Sequence, residues 1–120
     1  MMKKAPTTLS LLSTAALLAL GLSGPATAQD ADGARALAQS NNCLQCHAIR
    51  KDKDGPAFLK TAEKYRGKAN AEDEVTKHIT SGKKVKLADG TMEEHKIVKT
   101  IPPNDTAQVK NLVKWILATQ

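Results

Sequence analysis

The reactive side chains of this sequence fall within five consecutive residues, Cys43-Leu44-Gln45-Cys46-His47. The chain has two cysteines, three positions apart, and a histidine follows the second directly. In an exported protein two cysteines ordinarily read as a disulfide. A dithiol redox pair needs a βαβ context, and no strand-like run flanks this one. A structural zinc site needs four ligands, and one C-x-x-C with two scattered histidines, His78 and His95, is a poor match. C-x-x-C-H is instead the attachment pattern of a c-type haem. Two thiols one helical turn apart each reach a vinyl group on one edge of a porphyrin, and the next residue projects its imidazole under the iron. On this reading Cys43 and Cys46 form the thioethers of haem c, and His47 is the proximal axial ligand.

The elements that must hold this motif read as helices. Asp30 or Asp32 caps a first helix with Ala34, Leu37 and Ala38 on one face, running toward Asn41. Asn42 starts the turn that carries the motif, and a charged loop from Ile49 closes at Gly55-Pro56. A second helix is expected over Ala57–Tyr65, with Phe58, Leu59, Ala62 and Tyr65 inward and Gly67 as its stop. Asn70 caps a third, whose first turn holds Glu72, Asp73 and Glu74, whose buried stripe is Val75 and Ile79, and which Gly82 ends. Lys83–Gly90 reads as basic and irregular. Thr91-x-x-Glu94 is a capping box that predicts a short helix from Met92, ended by Pro102 and Pro103. Asp105-x-x-Gln108 opens the clearest helix, with Val109, Leu112, Val113, Ile116 and Leu117 on its apolar face. The fold class is all-α: about four to five short helices wrapped around one covalently attached haem.

The first 28 residues read as a secretory signal peptide, separate from the domain 29–120. Lys3 and Lys4 precede an apolar run from Leu9 to Leu22, Gly24-Pro25 breaks it, and Ala26-Thr27-Ala28 is a small-residue cleavage site. The run is short for a span of about 20 apolar residues, and no later stretch is long enough. The expectation is cleavage after about Ala28, no membrane span thereafter and a periplasmic address. Removing Lys3 and Lys4 takes the 18 basic residues to 16 against 12 acids, a net charge of +4 before any cofactor. That balance suits an acidic partner. The export signal and the three aromatics outside the leader, Phe58, Tyr65 and Trp115, argue against nucleic acid. So few large side chains make a marginal core for a small domain, and a haem would fill its middle.

With these residues in place, the sequence resembles a class I cytochrome c of the short bacterial c551/c552 type, over nearly all of 29–120. The resemblance is carried by the Ala-rich first helix, Cys43-Leu44-Gln45-Cys46-His47, Gly55-Pro56-Ala57-Phe58, Lys64-Tyr65, Ile79-Thr80-Ser81-Gly82, Pro102-Pro103-Asn104 and Val113-Lys114-Trp115-Ile116-Leu117. It implies that the Pro56 carbonyl accepts a hydrogen bond from the proximal imidazole, fixing its tautomer. It also implies that the final helix crosses the first with Trp115 near the haem, and that the function is single-electron transfer, not catalysis.

The sequence departs from the family on the distal side. The family's distal methionine directly precedes Pro-Pro-Asn, where this chain has Ile101, which has no lone pair for iron. The stretch from Gly82 to Ile101 is longer than usual and includes Met92 and His95, which would share a face on a helix. An imidazole would lower the reduction potential and a thioether would raise it. His95, nearer the Pro-Pro turn and the stronger ferric ligand, is the expected distal ligand; Met92 is the alternative and a vacant site the third option. His78 reads as surface or rim. Lys51, Lys53, Lys83, Lys84 and Lys86 are candidates for a basic rim that steers toward acidic redox proteins. The predicted function is a periplasmic monohaem electron carrier, a monomer or a subunit of a redox complex. The competing readings are an open distal site that binds a diatomic gas or reacts with peroxide, and a haem subunit of a dehydrogenase.

Overall fold

The computed structural model describes residues 29–120, so the leader and its cleavage point lie outside the described residues. In chain order the elements are α1 (Ala31–Ser40), α2 (Cys43–Cys46), α3 (Phe58–Tyr65), α4 (Ala71–Thr80), β1 (Lys84–Lys86), β2 (Met92–Glu94) and α5 (Thr106–Leu117).

The two longest-range helix partners, α1 and α5, carry the clearest start signals. The Asp30 carboxylate accepts from the Gly33 N–H at 2.9 Å. The Asp105 carboxylate accepts from the Ala107 and Gln108 N–H groups, and the Gln108 side chain donates back to it at 2.9 Å. Each cap satisfies helix-end donors that otherwise have no partner. The small residues Ala34 and Ala38 let α1 approach α5, and both are buried with Leu37, Phe58, Leu112, Trp115 and Ile116 in one core. Asn111 clamps the pair at one end. Its amide donates to the Asp30 carbonyl at 2.7 Å, and its oxygen accepts from the Asp30 N–H at 3.0 Å. α3 and α4 pack on α5 from the other side, through Phe58, Ala62 and Val75.

Asn70 occupies the cap position of α4, but its side chain makes no capping bond. The three acids of the first turn complement the helix dipole there. Gly67 and Gly82, both at positive φ (75° and 68°), follow the ends of α3 and α4, where a left-handed residue terminates a helix cheaply only as glycine.

The expected short helix at Met92 does not form. Met92–Glu94 is instead a strand, antiparallel to Lys84–Lys86, with Lys84 opposite Glu94, Val85 opposite Glu93 and Lys86 opposite Met92. The reason is the turn between them. The Leu87 N–H donates to the Thr91 carbonyl at 2.8 Å, the Gly90 N–H donates to the Leu87 carbonyl at 3.0 Å, and Gly90 takes a φ of 89°. The Asp89 carboxylate accepts from both the N–H and the hydroxyl of Thr91, so the threonine belongs to the turn and not to a helix cap. An Asp-Gly turn with opposite charges facing across the ladder favours a hairpin over an isolated helical turn. Lys83–Gly90 is therefore half strand and half turn, and Pro102-Pro103 has no helix to end. Side chains alternate along a strand, so Met92 and His95 do not share a face.

Candidate functional site

Both cysteines lie on α2, a single turn entered through Asn42 in the left-handed conformation (φ 56°), which asparagine tolerates better than most residues. The turn closes on the His47 N–H, which donates to the Cys43 carbonyl at 3.0 Å. His47 itself is extended, so its ring leaves the turn and meets the loop that follows. There its Nδ1–H donates to the Pro56 carbonyl at 2.6 Å. The ring stacks on Phe58, with centroids 5.1 Å apart and planes 22° from parallel. Phe58 in turn meets Trp115 edge-on at 5.7 Å, so the core of α5 reaches the histidine through one aromatic ring.

The loop is strapped down to make this possible. The Gly55 N–H donates to the Cys46 carbonyl at 2.7 Å, and the Phe58 N–H donates to the Ala48 carbonyl at 2.9 Å. Asp52 accepts from the Ala57 N–H and pairs with Lys60. Gly55 is needed by contact, since a Cβ there would stand 2.5 Å from His47 Cε1.

Cys43, Cys46 and His47 open into one cleft. Its walls are mainly apolar and include Phe58, Val75, Ile79, Val85, Leu87, Ile97, Val98, Leu112 and Ile116. His78 and His95 line it too. The His47 and His95 rings stand 6.1 Å apart, tilted by 48°. The His95 Nδ1–H donates to the Lys96 carbonyl at 2.9 Å, which leaves Nε2 as that ring's lone-pair nitrogen, as the Pro56 bond does for His47. His78 packs against His95 with centroids 4.6 Å apart. It is half-buried in the cleft, deeper than the surface or rim position expected for it. The signal available for it was its place one residue before the buried-stripe Ile79 on α4.

Burial pushes the Cys43 thiol above its ordinary value, against the pull of its backbone hydrogen bond and of Lys96. A redox-active dithiol needs the opposite shift. Burial also holds His47 below its ordinary value, although the Pro56 carbonyl works to raise it. His78 is lowered as well, by burial first and then by His95 and Lys83. For His47 and His78 burial thus favours the neutral imidazole, the form that binds a metal.

Ile101 and Met92 stand apart from this cleft. Ile101 is 91% exposed and Met92 is 58% exposed, and neither lines it. Of the lysines expected at the rim, Lys86 lines the cleft and Lys53 caps the motif by donating to the Leu44 carbonyl at 2.8 Å, while Lys51, Lys83 and Lys84 are exposed. Lys96, absent from that set, lines the cleft as well. A second, more polar depression of about 520 Å³ between α3 and α4, lined by Tyr65, Arg66, Lys68, Glu72 and Asp73, shares no residue with it.

A cleft with two thiols on one turn, apolar walls and an imidazole oriented by a proline carbonyl suits a covalently held haem, and the family model for cytochrome c matches residues 31–120. The chain belongs to the cytochrome c family. It is 34% identical to cytochrome c-551 of Pseudomonas aeruginosa over 112 residues, which is 92% of each chain. It is 35% identical to cytochrome c-552 of Hydrogenobacter thermophilus over 83 residues, 68% of this chain and 76% of that one. Among solved structures it is similar to the class 1 cytochrome MtoD of Sideroxydans lithotrophicus ES-1. The identity is 50%, the TM-score is 0.71, and the match covers 77% of this chain and 98% of that one. Cytochrome c552 of Nitrosomonas europaea follows at 28% identity and a TM-score of 0.55, with 72% and 99% covered.

Membership carries the cofactor with it: one covalently attached haem c with its iron, for which this chain has two cysteines. Members are monohaem electron carriers that work with other redox proteins. Among the described residues no helix is long and apolar enough to cross a membrane.

Proposed function

We propose that this cytochrome is an exported single-electron shuttle whose haem is bound through Cys43 and Cys46, with His47 proximal and His95 distal. The observation that carries the distal assignment is the 6.1 Å between the His47 and His95 ring centres. Two imidazoles at that separation would be able to hold one haem iron between them at a metal–nitrogen bond length of about 2.0 Å. The chain's own residues supply what such a site needs. The Pro56 and Lys96 carbonyls each accept a hydrogen bond from an Nδ1–H, which presents both Nε2 lone pairs and raises ligand basicity. Phe58 stacks on the proximal ring and holds its plane. The apolar walls exclude water and keep the site in a low dielectric. Haem supplies the one-electron redox couple when bound, and the protein sets its potential, access and docking.

Cleavage after about Ala28 and residence in the periplasm complete the reading, supported by the lysine, apolar and Ala-x-Ala order of residues 1–28. The net charge of +4 outside the leader and the exposed Lys51, Lys53, Lys83, Lys84 and Lys86 favour acidic redox partners.

The test is the absorption spectrum of the holoprotein, ferric and ferrous, with and without carbon monoxide. The expected result is a low-spin spectrum without the far-red sulfur–iron band and unchanged by carbon monoxide. A far-red band would move the distal role to Met92. A high-spin spectrum shifted by carbon monoxide would overturn the closed site and favour gas binding or peroxide chemistry. His95→Ala should become high-spin, and His95→Met should raise the reduction potential.

A further inference from the structure

We propose that His78 is a positioning residue for the distal imidazole: its ring sets the plane in which His95 faces the iron and shields that side from competing ligands. The proposal rests on the His95 ligation argued above.

His95 lies just beyond β2, at the start of the irregular segment 95–100. Its own restraints are weak. The Nδ1 bond to Lys96 goes to the next residue in the chain and turns with it. Its N–H donates to the Lys83 carbonyl at 2.9 Å, which ties it to a hairpin of two three-residue strands. Such a hairpin is marginal without packing from elsewhere.

The rigid neighbour is α4, which packs on α5. At its last turn, α4 meets the distal segment twice. The Val98 N–H donates to the Ile79 carbonyl at 2.9 Å, and His78 lays its ring 4.6 Å from that of His95, tilted by 57°. The first contact fixes where the segment runs; the second meets the imidazole itself. His78 also lines the cleft beside His95, so its ring narrows the space around that imidazole that another ligand would have to enter. An axial imidazole's plane orders the iron d orbitals of π symmetry, so a ring that holds that plane acts on the metal through the ligand and not by touching it.

The experiment compares wild-type, His78→Ala, His78→Gln and His78→Phe holoproteins, with the haem covalently attached. Ferric low-spin EPR reads the plane, and carbon monoxide binding to the ferrous form reads the shield. His78→Ala and His78→Gln should stay mainly low-spin, with shifted or broadened g values and a ferrous spectrum that carbon monoxide now shifts, where that of wild type does not. His78→Phe, which keeps a ring on the same helix face, should restore narrow g values and the resistance to carbon monoxide. The use of two ring-free variants covers the loss of either one to misfolding. Wild-type g values and unchanged carbon monoxide binding in His78→Ala and His78→Gln would overturn the proposal while leaving His95 ligation intact. A wild-type protein that is high-spin, or has a sulfur–iron band, would show instead that the His95 ligation beneath it fails. If His95→Ala stays low-spin while His78→Ala turns high-spin, His78 is itself the ligand and its positioning role is overturned.

Discussion

Asn41 and Lys99 grip each other through four polar groups, the two ends of one side-chain amide and the N–H and C=O of one backbone residue. The Asn41 amide donates to the Lys99 carbonyl at 2.9 Å, and its oxygen accepts from the Lys99 N–H at 2.7 Å, across 58 positions of sequence. The same amide also donates to the Leu37 carbonyl at 3.0 Å. One side chain at the end of α1 thus ties the returning distal segment to the entrance of the cysteine turn, so the two walls of the cleft are held together from behind.

Asn41→Ala should therefore cost about 0.5–1.5 kcal/mol, because it removes the side-chain bonds that join Lys99 and Leu37 while leaving the exposed Lys99 backbone groups to water. Asn41→Asp, which keeps the acceptor and loses the donor, should fall between the two. Urea unfolding of the holoproteins at neutral pH measures both, and equal midpoints for wild type and Asn41→Ala would contradict the strap.

Gly55→Ala puts a Cβ 2.5 Å from His47 Cε1 and 2.9 Å from Nδ1. The ring cannot swing away without losing both the Pro56 bond and the Phe58 stack. The variant should be destabilised by about 1–3 kcal/mol, as overpacked sites are, and its ferric spectrum should change. Gly67→Ala is the control. It is strained by its φ of 75° but meets nothing within 4 Å, so it should lose stability with the haem spectrum intact.

Acid should weaken the cap of α5. The Gln108 side-chain amide, then its N–H, and the Ala107 N–H hold the Asp105 carboxyl below its ordinary value. A carboxylate depressed in the folded chain stabilises it fully above the unfolded pKa of about 3.9, and that stabilisation is lost as pH falls through the lower folded value. Asp105→Asn keeps a capping oxygen without the titration. Thermal melts should show wild type ahead of the variant at pH 6, with the gap closing between about pH 4.5 and 2.5. A gap of constant size would refute the assignment.

Charge reversal at the cleft should act on encounter more than on the haem. Lys86→Glu and Lys96→Glu should slow electron transfer to an acidic redox partner at low salt, and the deficit should shrink as ionic strength shortens the Debye length below about 10 Å. Stopped-flow rates across a salt series test this. A deficit that persisted at high salt would point to a changed site and not to steering.

The residues that belong to local rules were legible before any tertiary contact was known. The haem motif lies within one helical turn, the caps at Asp30 and Asp105 act over three positions, and the glycines after α3 and α4 end their helices by backbone freedom alone. The role of Pro56 is implied by the family resemblance and not by periodicity; its carbonyl stands 2.6 Å from His47 Nδ1. The hairpin is hidden in the local pattern because Thr91 and Glu94 satisfy a helix-cap spacing, and that spacing competes with the turn signal of Asp89-Gly90.

By itself the sequence determined the C-x-x-C-H motif, the helical class and the placing of Ile101, not a methionine, directly before Pro102-Pro103-Asn104, because each is written in residues within a few positions of one another. Only the tertiary structure decided which side chains meet in the cleft. His95 reaches His47 across the fold, His78 comes to His95 from a separate helix, and Met92 turns outward on a strand. Those meetings depend on a hairpin in place of a helix and on α1, α4 and α5 packing together. A helical or strand period relates only neighbours along the chain and carries no information about such distances.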